Sequence, residues 1–231
     1  MEDTDMADCL LLLSGGLDSS ILAYQLMKQE KRRVRALFFD MNREASFYEL
    51  AAAKRVASEL DMPLEVAKLE ELDRLMLGYL PTKAFFLGID DKIQKMTTLP
   101  MCKVANLLPV VLNVATYYAH GVEVDEIDLA LTAEQIELNP HWPGFFHSFS
   151  DVLHQFCTEQ PRIQFRTPFA ELTKAQVLAR GKELGVSLAD TWTCTRGREL
   201  HDGVCLSCQS RKAAFRDAKI EDPTVYLDSR C

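Results

Sequence analysis

The sequence predicts an α/β protein: a doubly wound, mainly parallel five-stranded sheet with a small C-terminal module. Three observations predict it. Short apolar runs bounded by turns alternate with stretches of helical periodicity, which is the mark of a parallel sheet covered on both faces. A Gly-rich turn, Ser14-Gly15-Gly16, directly follows the first apolar run. Three of the seven cysteines fall between Cys194 and Cys208.

Each element follows from its local pattern. Residues 9–13 are an unbroken apolar run ending in a Gly-rich turn, so they predict a buried strand. Residues 18–30 predict a helix, with Ile21, Leu22 and Leu26 on one face and Asp18 near its start. Residues 34–39 predict a second buried strand. Residues 47–60 carry Leu50, Ala53, Val56, Ala57 and Leu60 at helical spacing, and residues 64–69 predict a third strand. Residues 70–99 read as loop with a short helix, a candidate lid. Residues 103–120 are apolar enough for a buried helix. A fourth strand is expected over 127–133, a helix over 144–158 and a fifth strand over 163–167. Thr173 opens the next helix, with Gln176 three residues on in a capping-box pattern, and that helix ends near Gly185. These elements form one expected domain, residues 1–189. Residues 190–231 are short-range and cysteine-bearing, and form an expected metal-binding module.

Composition narrows the function classes. The 231 residues are 48% apolar and 26% charged, which is ordinary globular usage. No apolar run approaches the roughly 18 residues that span a bilayer, and residues 1–7 lack the basic-then-apolar pattern of a secretory signal. The cytoplasm is therefore the expected compartment, no membrane partner is expected, and disulfides are not. A net charge of −8 argues against a general nucleic-acid surface.

The turn carries the first piece of chemistry. Glycines at 15 and 16 allow close backbone approach, while Ser14, Ser19 and Ser20 offer hydroxyls. A strand-to-helix turn of this kind holds an anion on the free N–H groups of the helix start. No Gly-Lys-Ser/Thr follows, so it is not a Walker loop, nor is it the dinucleotide fingerprint. The carboxylate of Asp18 would repel phosphate unless Mg2+ lies between them.

The cysteines carry the second. Cys205-Leu206-Ser207-Cys208 is a C-x2-C knuckle, and Cys194 lies eleven positions before Cys205. Three thiolates suit zinc, which takes four ligands in tetrahedral array, and both His201 and Asp202 are within reach to be the fourth. A redox C-x-x-C would instead open a helix after a strand.

The segment Ser14-Gly15-Gly16-Leu17-Asp18-Ser19 resembles the SGGxDS loop of the PP-loop ATP pyrophosphatases, where it grips pyrophosphate as ATP is cleaved between its α and β phosphates. Most of the chain resembles one family of that group, the 7-cyano-7-deazaguanine synthase (QueC) family. Phe39-Asp40 matches the acidic residue at the end of its second strand. Thr167-Pro168-Phe169 with Leu172-Thr173-Lys174-Ala175 matches a TP, L, S/T-K-A stretch. Thr191-Trp192-Thr193-Cys194 matches its T-W-S-C, and Cys205-Leu206-Ser207-Cys208 its terminal knuckle, followed by a basic helix with Arg211 and Phe215.

The resemblance implies an adenine-nucleotide α-hydrolase fold and a chemistry. Family members adenylate 7-carboxy-7-deazaguanine with ATP, accept ammonia to give an amide, then activate again and dehydrate to the nitrile. They bind zinc and are commonly homodimers. Carried over, Ser14, Asp18, Ser19 and Lys174 are the expected catalytic residues. Ser14, Gly15, Gly16, Leu17, Asp18, Ser19, Ser20, Asp40 and Lys174 are expected to bind ATP, with Mg2+. Lys174, at a helix start, would neutralise phosphate charge.

The departures matter equally. The family's four zinc cysteines map to Cys194, Asp202, Cys205 and Cys208, so a carboxylate replaces one thiolate; Asp202 is the expected fourth ligand and His201 the alternative. The family's R-N pair becomes Ala105-Asn106, its Gln-Arg-His becomes Arg43-Glu44-Ala45, and the acidic residue of its Y-P-D becomes His141 before Trp142. Asn106, Thr132, Glu134, His141 and Trp142 are the candidate substrate pocket, with His141-Trp142 read as a stacking wall for a flat heterocycle. Two other readings stay open at this point. One is a diverged enzyme that passes the deazaguanine group to a protein or nucleic-acid acceptor, for example in antiviral defence. The other is a nucleotide-binding scaffold without turnover.

Overall fold

A strand that is apolar along its whole length must be flanked and covered on both faces, and the first strand is. The computed structural model describes residues 7–69 and 107–227. Strands β1 (Cys9–Leu12), β2 (Val34–Asp40), β3 (Leu64–Lys68), β4 (Glu126–Asp128) and β5 (Gln164–Arg166) form one sheet in the order β3-β2-β1-β4-β5. Every pairing is parallel; Leu10 sits opposite Ile127 and Leu11 opposite Asp128. The order reverses between β1 and β4, which opens a crevice at their carboxyl ends.

Alternation along the strands divides the apolar side chains between two cores. Leu11, Leu13 and Phe38 face one cluster with Ile21, Val56, Phe169 and Val177. Leu10, Leu37 and Ile127 face the other with Leu112, Ala115 and Phe146. The first cluster is covered by α1 (Leu17–Tyr24), α2 (Ser46–Glu59) and α6 (Lys174–Glu183). The second is covered by α3 (Leu107–Gly121) and α5 (Trp142–Phe156). Helix α7 (Leu206–Ala218), beyond the cysteine knuckle, adds Ala214 and Phe215 to the first cluster. No helix among the described residues is long and apolar enough to cross a membrane.

The doubly wound fold expected from the sequence is the one observed, and the differences are local. The helix expected over 18–30 is α1 continued by a π-helical turn, Gln25–Gln29. The fourth strand stops at Asp128 rather than running to 133. Its expected last residues open a short helix, α4 (Ala133–Leu138), because Thr132 and Gln135 form a capping box: the Thr132 N–H donates to Gln135 Oε1 at 2.9 Å. Gln176 caps α6 in the same way from Thr173, as expected. The candidate lid, residues 70–99, lies outside the described residues.

A charged cluster lies beneath the first core. Asp128 is fully buried, with Arg32 Nη1 at 3.7 Å and Arg166 Nε at 3.8 Å. Glu126 pairs with both arginines. Burial pushes the Asp128 carboxyl up to about 6 against the opposing pull of Arg166.

Candidate functional site

The turn after β1 needs its glycine. Gly15 has φ +72°, and a Cβ there would lie 2.2 Å from the carbonyl oxygen of Glu49. No L side chain fits without moving α2. The following residues fold the hydroxyls inward. The Ser14 N–H donates to Ser19 Oγ at 3.2 Å, and the Ser14 and Ser19 hydroxyls lie 3.0 Å apart. The Gly16 N–H donates to Ser14 Oγ at 3.3 Å, and Gly16 is the N-cap of α1. The result is a compact polar cradle at a helix start, set at the crevice where the strand order reverses.

Two cavities adjoin the cradle. The larger, about 800 Å3, is lined by Ser14, Asp18, Glu49, Lys174 and Trp192 among others. The smaller, about 240 Å3, shares Ser14, Gly16 and Asp18 and is bounded by Ser19 and the segment after β4, Leu129 to Leu131. The far wall of the larger cavity is one face of α7: Ser207, Ser210, Ala214 and Asp217. Spacings of three and four residues after the C-x2-C knuckle put these side chains on one helical face, and that signal was available in the sequence.

Lys174 and Asp18 meet across the cradle, Nζ to Oδ2 at 2.9 Å. The other Asp18 oxygen is buried without a hydrogen-bond partner. Such an orphaned carboxylate oxygen beside an anion cradle fits a hard divalent cation. Glu134 reaches the start of α6, where both of its carboxylate oxygens accept from the Lys174 N–H, at 2.9 and 3.1 Å. Burial raises the Glu134 carboxyl, but hydrogen bonds from the Lys174 and Glu134 amides and the Thr132 hydroxyl, with the Lys174 charge, together hold the group below its ordinary value. Burial raises the Glu49 carboxyl, with Arg43 opposing.

The cysteine module converges on a point. One ligand atom from each of Cys194, Asp202, Cys205 and Cys208 lies within 4.8 Å of the others. Tetrahedral zinc with Zn–S bonds of about 2.3 Å needs sulfurs about 3.8 Å apart, so the donor set fits that ion in number, type and spread. Three of the four side chains accept from backbone N–H groups. The Asp202 N–H donates to Cys194 Sγ and the Cys208 N–H to Cys205 Sγ, each at 3.4 Å. Asp202 Oδ1 accepts from the Val204 and Cys205 N–H groups, both at 3.0 Å, and Oδ2 lies 2.9 Å from Arg196 Nε. Hydrogen bonds from Cys194 and Cys208 drive the Cys205 thiol well down and raise the other two. His201 is outside this group. Its Nε2 accepts from the Thr193 N–H at 3.1 Å, its ring lies 4.3 Å from that of Trp192, and burial with Arg211 nearby pushes it down to about 4.

Of the expected pocket residues, Thr132 and Glu134 line the larger cavity. His141 and Trp142 do not: His141 is the exposed N-cap of α5, and Trp142 packs on the second core cluster. Asp40, at the end of β2, is not among the cavity's lining residues; its Oδ1 accepts from the Asn42 N–H at 2.9 Å. Asn106, and Ala105 beside it, lie outside the described residues. Two residues not expected in the site support it. Trp192 lines the larger cavity, and its N–H donates to the Gly15 carbonyl at 2.9 Å. Arg211 is fully buried and donates to Thr191 Oγ1, Thr193 Oγ1 and the Leu188 carbonyl.

Comparison with known proteins gives a consistent picture. The family model described as "Queuosine biosynthesis protein QueC" matches residues 8–219. The chain is 30% identical to the 7-cyano-7-deazaguanine synthase of Desulfotalea psychrophila, over 96% of this chain and 100% of that protein. It is 32% identical to the 7-cyano-7-deazaguanine synthase of Methanosphaerula palustris, over 93% of this chain and 97% of that one. Among solved structures, the U34-tRNA thiolase NcsA from Methanococcus maripaludis with its [4Fe-4S] cluster shares the fold, with a TM-score of 0.53 at 16% identity over 94% of this chain and 67% of that one.

Proposed function

This chain belongs to the QueC family, and from that premise we propose that it adenylates the carboxylate of 7-carboxy-7-deazaguanine, or a close analogue, with ATP and converts the product to the nitrile with ammonia. One observation carries the reading: the Ser14–Ser19 cradle, faced by the Lys174–Asp18 pair, sits where two cavities meet. ATP and an acid bound on either side would converge at that point.

The chemistry follows from the groups present. A carboxylate oxygen of the substrate attacks the α-phosphorus, and pyrophosphate leaves into the cradle. There the Ser14 and Ser19 hydroxyls and the start of α1 supply donors. Lys174 turns from Asp18 to the phosphates and offsets their charge. Mg2+, when bound at the free Asp18 oxygen, supplies charge neutralisation for the leaving group. Ammonia then attacks the acyl carbon, and AMP departs with one of the original carboxylate oxygens. Glu49 lines the cavity, and its raised carboxyl suits it to take the proton that the nitrogen sheds. A second activation of the amide oxygen and loss of a second AMP leave the nitrile.

Zinc, held by Cys194, Asp202, Cys205 and Cys208, would be structural, because all four positions are filled by protein ligands. A homodimer has a candidate face: Tyr117 on α3 and Phe156 on α5 are each 83% exposed, and both helices cover the second cluster. Incubation of the full chain with ATP, Mg2+, ammonia and 7-carboxy-7-deazaguanine should yield AMP and 7-cyano-7-deazaguanine, resolved by mass spectrometry. Active protein that forms AMP without nitrile would refute the final product; protein that forms no AMP would refute the whole reading.

A further inference from the structure

The cysteine cluster and the phosphate cradle are joined by one residue. The Trp192 main-chain N–H donates to the Gly15 carbonyl at 2.9 Å, in the glycine whose backbone is locked against Glu49. Its indole Nε1–H donates to the carbonyl of Cys194, a cluster residue, at 2.8 Å in a buried setting. The ring is held on both sides: Tyr48 stacks on it at 4.5 Å with an interplanar angle of 17°, and His201, which precedes Asp202, lies at 4.3 Å. Arg211 clamps the neighbours Thr191 and Thr193 at 2.8 and 3.1 Å. The strap from cluster to cradle is therefore three residues long and has no slack.

We infer that Trp192 is a positioning residue through which metal held at the Cys194–Asp202–Cys205–Cys208 cluster sets the shape of the phosphate cradle, so that metal and nucleotide each tighten the binding of the other. With the sulfurs gathered on an ion, the Cys194 carbonyl is fixed and the indole has a stationary acceptor. Trp192 then presents its N–H to Gly15 and keeps the cradle in its binding geometry. With the cluster open, the Cys194 main chain is released, and nucleotide must pay the cost of re-ordering the loop. Coupling of this kind is reciprocal: the factor by which metal improves nucleotide affinity equals the factor by which nucleotide improves metal affinity. The inference rests on the ATP reading of the cradle.

The test uses the metal-loaded full chain, with α,β-methylene-ATP and Mg2+ as the nucleotide probe. The equilibrium partition of zinc between the protein and 4-(2-pyridylazo)resorcinol is measured with and without the probe, in wild type and in Trp192→Phe. That variant keeps the ring stack and the main-chain N–H but loses the bond to Cys194. In wild type the probe should raise zinc retention about five- to tenfold, within the usual range of inter-site coupling. In Trp192→Phe the chain should still carry one zinc, and the effect should fall below about twofold. Probe binding to wild type with unchanged zinc retention would overturn the inference, as would undiminished coupling in the variant. Failure of the probe to bind metal-loaded wild type would sink the ATP reading and the inference together. Unchanged zinc retention in wild type overturns the inference even if the variant does not fold.

Discussion

Asp128 is the residue with the clearest pH signature. Its folded-state value near 6 lies above the ordinary 3.8, so the folded protein holds a proton between about pH 4 and 6 that the unfolded chain releases. The sign follows: this group's contribution is fully present below about pH 4 and is lost as pH rises through about 6. Because the carboxylate is fully buried, a shift of this size corresponds to about 2–3 kcal/mol. Wild type should therefore gain about 2 kcal/mol over Asp128→Asn between pH 7 and pH 4.5, most of the full effect; a wild type that loses ground on acidification would contradict the assignment. Lys174 makes a catalytic prediction at the same scale. Lys174→Met should leave the start of α6 intact, since Thr173 and Glu134 still cap it, while lowering the rate of AMP formation by about 10²–10³-fold. A rate within threefold of wild type would remove Lys174 from the chemistry.

At the scale of elements, the sheet was readable because its strands are long apolar runs and its helices keep a 3.6-residue period. The end of β4 was not. Residues 129–132 are apolar or β-branched, and only the pairing of Thr132 with Gln135 stops the strand and starts a helix. The cradle was legible since Gly15 can serve at φ +72° where other residues cannot. The shared face of Ser207, Ser210, Ala214 and Asp217 is written in their spacing, but which cavity that face closes, and the Trp192 strap, depend on tertiary packing that no local pattern announces. An aromatic pair beside a proline suits a loop as well as a first helical turn, and His141-Trp142 opens α5. The knuckle before α7 offers a direct check on its fourth ligand. Asp202→Ala should lower zinc affinity at least about tenfold, and Asp202→Cys should restore it. Zinc content of one per chain in Asp202→Ala after chelator challenge would shift the ligand to His201.

The whole molecule is organised around the break in strand order. The first core and the C-terminal helix fix one wall of the larger cavity, the Gly-rich turn fixes the cradle, and the strand-to-helix switch at Thr132 closes the remaining side. Ser14–Ser19 and Lys174, the end proposed to activate the substrate, keep the family pattern, whereas positions 105, 141 and 202 depart from it. The claim that binds these features is that a substrate carboxylate attacks the α-phosphorus of ATP at the Ser14–Ser19 cradle. Oxygen transfer tests it most directly. With 7-carboxy-7-deazaguanine labelled with 18O in both carboxylate positions, each AMP released should carry one 18O atom, detected by mass spectrometry, and two labelled AMP should form per nitrile. Unlabelled AMP, or release of ADP and inorganic phosphate, would contradict it.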